Sequence, residues 1–348
     1  PRKQRQRAGG YVNAVLRNLI RKLDQIQFPS IESDPVSHIA VKYSHPEWIV
    51  ERWVKRYGIA NTVKFCQINN RSPQLQVRVN SLKTDLPQLQ SYFASQGIQA
   101  AKARYAPDVL HCDRGIDPNS EPLFQAGHYY VQNESSALAA HAVDPQPGEV
   151  VYDLCAAPGG KTTHLAELMK DKGEIWALDI HPHKLALISK SATRLRLGCI
   201  KVQEGDGRKL PVEFQEAFGK VLVDAPCSGT GVLRRRADLR WHKTPEELVT
   251  LPKLQLEILT SAAGAVVAGG VLVYSTCSLE PEENLEVVNA FLTSRPDFRL
   301  ADMGPSLENI IQESTLRQGF LQLYPHKHKV DGFFLARLER HEEGTAHG

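Results

Sequence analysis

Asp153-Leu154-Cys155-Ala156-Ala157-Pro158-Gly159-Gly160-Lys161-Thr162 is the stretch on which the reading of this chain turns. The apolar run Val150-Val151-Tyr152 leads into it, and a helical pattern, Thr162 to Met169, leads out. Small residues and two glycines at a strand-to-helix turn let a ligand lie against bare backbone. The helix beyond aims its free N–H groups at whatever binds there. A phosphate-cradling loop needs Gly five residues before the Gly-Lys pair, and Cys155 stands there. The dinucleotide pattern G-x-G-x-x-G is also missing. What remains is a loop for a nucleoside-type ligand. Acidic residues at the ends of the next two strands agree: Leu178-Asp179 closes one, and Glu204-Gly205-Asp206 follows the other. An acid in the first position suits ribose hydroxyls.

Outward from this loop, strands and helices alternate. The pattern predicts strands at 149–154, 174–179, 199–204, 220–224 and 271–276, with helices at 161–170, 182–195, 245–266 and 281–293. Such alternation implies a parallel sheet covered by helices on both faces. Two further strand-like runs, Gly319 to Tyr324 and Gly332 to Arg337, are separated by a short turn and suit an antiparallel hairpin at the sheet edge. Ligands collect at the carboxyl ends of strands in such sheets. Two of those ends carry a cysteine: Asp224-Ala225-Pro226-Cys227-Ser228-Gly229 and Ser275-Thr276-Cys277-Ser278. Neighbouring strands lie about 4.8 Å apart, so pairing of these two brings both thiols to one pocket beside the loop.

The motifs DLCAAPGGKT, ALD, EGDGR, VLVDAPCSGTGVLRR and VYSTCSLEPEENLEVV together resemble the Sun-type (RsmB-like) family of RNA 5-methylcytosine methyltransferases, over residues 40 to 340. The resemblance implies an α/β fold: a Rossmann-like class I methyltransferase sheet with an antiparallel terminal hairpin, preceded by a small α+β domain and a helical remnant. It implies S-adenosyl-L-methionine as cofactor. Cys155, Ala156, Ala157, Pro158, Gly159, Gly160 and Lys161 would surround its methionine part, Asp179 its ribose and Asp206 its adenine, with Asp224 closing the site. The chemistry it implies is covalent. A thiolate adds to carbon 6 of cytosine, and carbon 5 becomes enamine-like and nucleophilic. Asp224 hydrogen-bonds the base and stabilises the adduct. DNA enzymes of this chemistry attack with a Pro-Cys, which would select Cys227. The RNA family attacks with the Thr-Cys residue, which maps to Cys277 and leaves product release to Cys227. The Ser275-Thr276-Cys277-Ser278 context follows the RNA family. Arg234, Arg235 and Arg236 would hold the RNA backbone beside a flipped base.

The rest of the chain is read more coarsely. Its 348 residues suggest two or three domains, and 42% apolar content suffices for a real core. Net charge +3 decides little. No run of about 18 apolar residues occurs, so no transmembrane helix is expected, and no signal peptide is visible. A start at Pro1 rather than Met reads as a shortened chain. Cys66, Cys112, Cys155, Cys199, Cys227 and Cys277 contain no C-x-x-C, which fits a reducing cytoplasm and no metal. His326-Lys327-His328 has no third ligand in register and is read as RNA-facing or exposed.

Residues 1–28 carry a basic run, Pro1 to Arg7, and helical spacing at Val12, Val15, Leu16, Leu19 and Leu23. By resemblance they are the remnant of a NusB-like RNA-binding domain. Residues 29–40 read as a linker. Residues 41–131 read as a small α+β unit guiding RNA, with Arg71, Arg78, Lys83 and Lys102 available for phosphate. The catalytic domain covers 132–340, starting with capping chemistry at Gln132-Asn133-Glu134-Ser135-Ser136, and 341–348 is a tail. The expected partner is small-subunit ribosomal RNA, bound by a monomer. Two other classes stay open: a Rossmann methyltransferase acting on an N or O atom, and a catalytically silent RNA-binding assembly factor.

Overall fold

The computed structural model describes the backbone of residues 2–341 and the side chains of residues 8–341. The side chains of the basic run Pro1 to Arg7, and residues 342–348 of the tail, lie outside the described residues. The chain divides into two compact units, residues 1–67 and 68–348.

The first unit is helical. It contains α1 (Arg2–Arg21), α2 (Pro35–Tyr43) and most of α3 (Glu47–Asn69). Residues 35–40 are therefore not linker. Asp34 accepts the Ser37 N–H at 3.0 Å and Pro35 occupies the first turn, so this stretch has a complete helix start. Ile39 and Ala40 are buried from it. α3 is two helical stretches joined across Gly58, whose φ of 77° breaks the helical path. Trp53, Ile49, Val50 and Phe65 form the local core, with the Trp53 and Phe65 rings 5.5 Å apart.

The second unit opens with β1 (Leu75–Val79), α4 (Leu86–Ser95), β2 (Ala100–Lys102), β3 (Val109–Cys112), α5 (Pro122–Gln125) and β4 (Tyr129–Val131). Its four strands form one antiparallel sheet in the order β2-β3-β1-β4. Then α6 (Glu134–Val143), β5 (Val150–Leu154), α7 (Gly160–Leu168), β6 (Glu174–Asp179), α8 (Pro182–Leu195), β7 (Ile200–Glu204) and β8 (Phe218–Asp224) alternate. The chain continues through α9 (Leu239–His242), α10 (Glu247–Ala263), β9 (Val266–Thr276), α11 (Leu285–Ser294), β10 (Phe298–Leu300), α12 (Gly304–Leu307), β11 (Phe320–Leu323), α13 (Pro325–His328) and β12 (Phe333–Arg340).

The large sheet has the order β10-β12-β9-β8-β5-β6-β7, with β11 also on β12. β5 to β9 are mutually parallel, and β12 is antiparallel to β9. This is a Rossmann-like sheet with an antiparallel terminal hairpin. The hairpin connection is not a bare turn, since it holds α13. Val151, Leu222, Val273 and Leu335 face one core layer with α6 and α7. Tyr152, Val221, Val223, Leu272 and Tyr274 face another with α10 and α11. Burial on both faces explains the nearly unbroken apolar runs of β5, β8 and β9. Strand order reverses between β5 and β8, so the loops after these strands part and leave a crevice at their carboxyl ends.

Two expectations fail here. Arg78, expected at phosphate, is 0% exposed. It spans from β1 to α7, giving Glu167 two bonds of 2.8 and 2.9 Å and the Gly160 carbonyl one of 2.7 Å. Lys83 donates instead to the carbonyls of Ala126 and Arg194, at 2.6 and 3.2 Å. Arg78 satisfies a buried carboxylate, which outweighs solvation at the surface, while Lys83 is held by carbonyls nearer the surface. The start of α6 is likewise held from outside. Asn133 makes no side-chain cap bond, and the Glu134 N–H is taken by Gln76 of β1 at 2.8 Å.

Candidate active site

β8 and β9 pair in register, with Asp224 opposite Ser275, and Ala225 N–H donates to the Ser275 carbonyl at 2.9 Å. The two loops that follow therefore leave the sheet side by side, and Cys227 Sγ lies 3.2 Å from Cys277 Sγ. Both thiols line a cleft of about 350 Å³ together with Lys161, Asp224, Arg235, Arg236, Lys243 and Phe333. Asn133, Ser135 and Ser136, at the start of α6, line it from another side.

The thiols are not equivalent. The Cys227 S–H bond lowers Cys277 below the ordinary thiol value, against burial, and the nearby Lys161 ammonium acts in the same direction. The bond to Cys277, together with burial, raises Cys227 well above it. A hydrogen bond favours the charged form of its acceptor. Both shifts favour a thiolate on Cys277 over one on Cys227.

Asp224 is held by two partners. Lys161 Nζ lies 2.6 Å from Oδ2, and the Ser275 hydroxyl donates to Oδ1 at 2.8 Å. The Lys161 ammonium also stands 5.3 Å from the centre of the Phe333 ring. The lysine that completes the Gly-Lys-Thr sequence is thus committed to a carboxylate and a ring face.

Beneath the thiols lies a polar cluster that the sequence reading missed. Glu283 is buried, accepting Ser228 N–H at 2.7 Å, the Ser278 hydroxyl at 2.5 Å and Gln255 Nε2 at 3.1 Å, and the Ser228 hydroxyl as well. Burial holds it above the usual carboxyl range. Ser228 follows Cys227 and Ser278 follows Cys277, so one carboxylate fixes both thiol loops. Asn284 adds a bond to the Ser278 carbonyl at 3.0 Å and accepts from Thr276 at 2.5 Å. The acid-rich Glu280-Pro281-Glu282-Glu283-Asn284 run is the only trace of this in the sequence, and charged residues usually mean surface. The loops also touch through backbone: a Cβ on Gly231 would meet the Gly332 carbonyl oxygen at 2.4 Å and that of Cys277 at 2.8 Å.

Across the crevice, Cys155 to Lys161 forms the turn between β5 and α7. Cys155 has φ 58° and Gly159, the residue before α7, has φ 99°. A Cβ on Gly159 would press on Ile188 at 3.1–3.3 Å. Asp179, at the end of β6, accepts Ala157 N–H at 3.2 Å and His181 N–H at 3.0 Å. Asp206, after β7, accepts from Arg208 Nη2 at 2.7 Å, and that contact brings it to about 2. Asp153 is fully buried within β5 and takes the Thr162 hydroxyl at 2.6 Å. Burial raises it to about 7, and its Oδ1 has no hydrogen-bond partner among the described residues. After burial, the charges of Asp224, Asp179, Asp153 and Asp206 push the Cys155 thiol further up. Four acidic residues from adjacent strands thus act on one backbone turn, with Asp224 and Asp206 already paired with Lys161 and Arg208.

Of the expected arginines, Arg234 does not line the cleft. Arg234 and Arg235 both turn their Nε groups to Asp331, which is 1% exposed. A buried carboxylate requires such counter-charges, so these two arginines brace the loop before β12. Arg235 still lines the cleft, and Arg236 is the exposed member of the trio. The His326-Lys327-His328 run is not simply exposed either. His328 is buried, bonding Glu313 at 3.0 Å and the Tyr324 N–H at 2.8 Å.

A parallel sheet with an antiparallel final hairpin, and a ligand turn after its central strand, defines a Rossmann-like methyltransferase. The family model for the 16S rRNA methyltransferase RsmB/F matches residues 140–339, and one for an RsmF/B-like ferredoxin-like domain matches residues 45–118. The chain is 42% identical over 334 residues to a probable ribosomal RNA small subunit methyltransferase B of Bacillus subtilis, covering 95% of this chain and 73% of that protein. It is 34% identical over 337 residues to the ribosomal RNA small subunit methyltransferase B of Serratia proteamaculans, covering 96% and 74%. The solved structure of a methyltransferase homolog protein from Pyrococcus horikoshii aligns with TM-score 0.75 and 28% identity, over 88% of this chain and 99% of that one. The chain belongs to the RsmB/F methyltransferase family. Its cofactor is S-adenosyl-L-methionine, and the Cys155–Lys161 turn, with Asp179 bonded to its Ala157 N–H, fits it. Among the described residues no helix is long and apolar enough to cross a membrane.

Proposed function

We propose that this enzyme methylates carbon 5 of a cytosine in 16S ribosomal RNA through a covalent adduct with Cys277. The observation that carries this reading is the pair of thiols 3.2 Å apart after β8 and β9, with Cys277 held below the ordinary thiol value and Cys227 above it.

The Cys277 thiolate adds to carbon 6 of an extruded cytosine, forming an S–C bond and moving the 5,6 π pair toward carbon 5. Asp224, aligned by Lys161 and Ser275, accepts from the exocyclic amine of the base. The cofactor supplies an electrophilic methyl group. Carbon 5 takes that methyl, a base removes the proton on carbon 5, and the electron pair expels the thiolate from carbon 6. Cys227, protonated and in contact with the leaving sulfur, assists this release. The turn Cys155 to Lys161 holds the methionine part of the cofactor, Asp179 its ribose and Asp206 its adenine. Arg236 holds an RNA phosphate at the cleft rim, and the small antiparallel sheet guides the RNA toward it. The names borne by the Bacillus and Serratia relatives support the ribosomal substrate. Six free cysteines suit a reducing cytoplasm, where the enzyme works as a monomer.

Cys277→Ala is expected to lower methyl transfer by about 10⁴-fold or more and to abolish the adduct. Cys227→Ala is expected to accumulate a protein–RNA species that survives denaturing electrophoresis. Exchange of the two phenotypes would reassign the nucleophile. Nucleoside mass spectrometry after labelled-methyl transfer should find the label in 5-methylcytidine. Label on a nitrogen or oxygen would overturn the cytosine-C5 reading.

A further inference from the structure

Asp108, His141 and His164 lie outside the cleft. Each offers one ligand atom, and the three atoms lie within 4.8 Å of one another. Asp108 immediately precedes β3, His141 is in the last turn of α6, and His164 is on α7. Asp108 Oδ1 is 3.2 Å from His141 Nε2, its other oxygen contacts His164 Nε2, and the two rings meet edge to face with centroids 5.0 Å apart. His164 is 1% exposed, and its Nδ1 has no hydrogen-bond partner among the described residues. Charge balance does not forbid a cation, because the neighbouring Arg78 is already paired with Glu167 at 2.8 Å.

Two imidazoles and one carboxylate form a donor set for a divalent first-row ion, and with one water they complete a tetrahedral zinc site. Ligand atoms about 2.0 Å from zinc stand about 3.3 Å from one another in a tetrahedron, close to the present Asp108–His141 separation. His141 also lines a surface cavity of about 260 Å³ with Asp144, Lys170 and Ser306. We infer that Asp108, His141 and His164 bind one zinc ion, with a water from this cavity as fourth ligand. The ion ties the loop before β3 to α6 and to α7, the helix that starts at the cofactor turn.

The test uses the whole chain, stripped with a chelator and titrated with zinc alone against a chromophoric competitor. The expected result is one equivalent per chain and a rise in the thermal midpoint. His141→Gln, at a partly exposed position, and Asp108→Asn should each keep the native circular dichroism and weaken zinc uptake by at least about 10-fold. Uptake should persist in the Cys227→Ser, Cys277→Ser double variant. No stoichiometric uptake by the wild type, an unchanged affinity in His141→Gln, or loss of zinc in the double thiol variant would each overturn the site.

Discussion

The two sides of the crevice are built by different means. On the β8/β9 side, side chains hold side chains: Glu283 gathers Ser228, Ser278 and Gln255, and the thiols meet above it. On the β5/β6 side the backbone does the holding, through a turn with residues at φ 58° and 99° and amide groups bonded to Asp179. The first side has to aim reacting atoms, which requires fixed rotamers. The second has to offer a smooth bed to a ligand, which requires the absence of side chains. Mutations should therefore injure the two sides differently, one through lost polar partners and the other through added bulk.

Glu283→Ala is the severest test of that contrast. It leaves an N–H, two hydroxyls and an amide buried without their acceptor, and the expected cost is about 2–4 kcal/mol of folding stability, seen as a lower denaturant midpoint. Glu283→Gln keeps an acceptor and should lose less stability while still slowing methyl transfer. Equal stability of wild type and Glu283→Ala would mean that the cluster does not hold the thiol loops.

Asp153 sits between the two sides and supplies a pH dependence. Its folded value of about 7 lies above the ordinary carboxyl value, so the folded state binds the extra proton. Stability from this group is complete at low pH and declines as pH rises from about 4 to about 7, by about 1–4 kcal/mol. Asp153→Asn should flatten that part of the stability curve and exceed wild type at pH 8. Parallel curves for the two proteins would refute it.

Gly159→Ala probes the backbone side. A left-handed φ for alanine and contact with Ile188 should cost about 1–2 kcal/mol and weaken cofactor binding about 10-fold in calorimetric titration. Adduct formation in this variant, measured with RNA alone, should change less than cofactor affinity. The smallest effect is expected at the rim: Arg236→Ala should reduce the slope of log K against log salt for RNA by about 1 without moving the unfolding midpoint. Arg235→Ala, which deprives Asp331 of a partner, should lower that midpoint.

Much was legible in the linear chain because it is local. The period of apolar residues marked the strands from Val150 to Thr276, since a strand buried on both faces must be apolar throughout. The motifs at their ends singled out Cys227, Cys277 and Asp224, which the fold brings to one cleft with Lys161. The basic and acidic residues misled the reading, because a charge looks alike in solvent and in a buried pair. Arg78, Arg234 and His328 look like solvent or RNA contacts in the linear chain, and each has an acid partner, 89, 97 and 15 positions away.

Residue types and their short-range order settled which elements form and which groups can react. Only the folded chain decided that Cys227 and Cys277 meet, that Glu283 binds both thiol loops, and that Lys161 belongs to Asp224. Each of those outcomes depends on contacts between residues 5 to 63 positions apart. Burial multiplies the energy of a polar contact, and burial is a property of the packed whole rather than of any stretch.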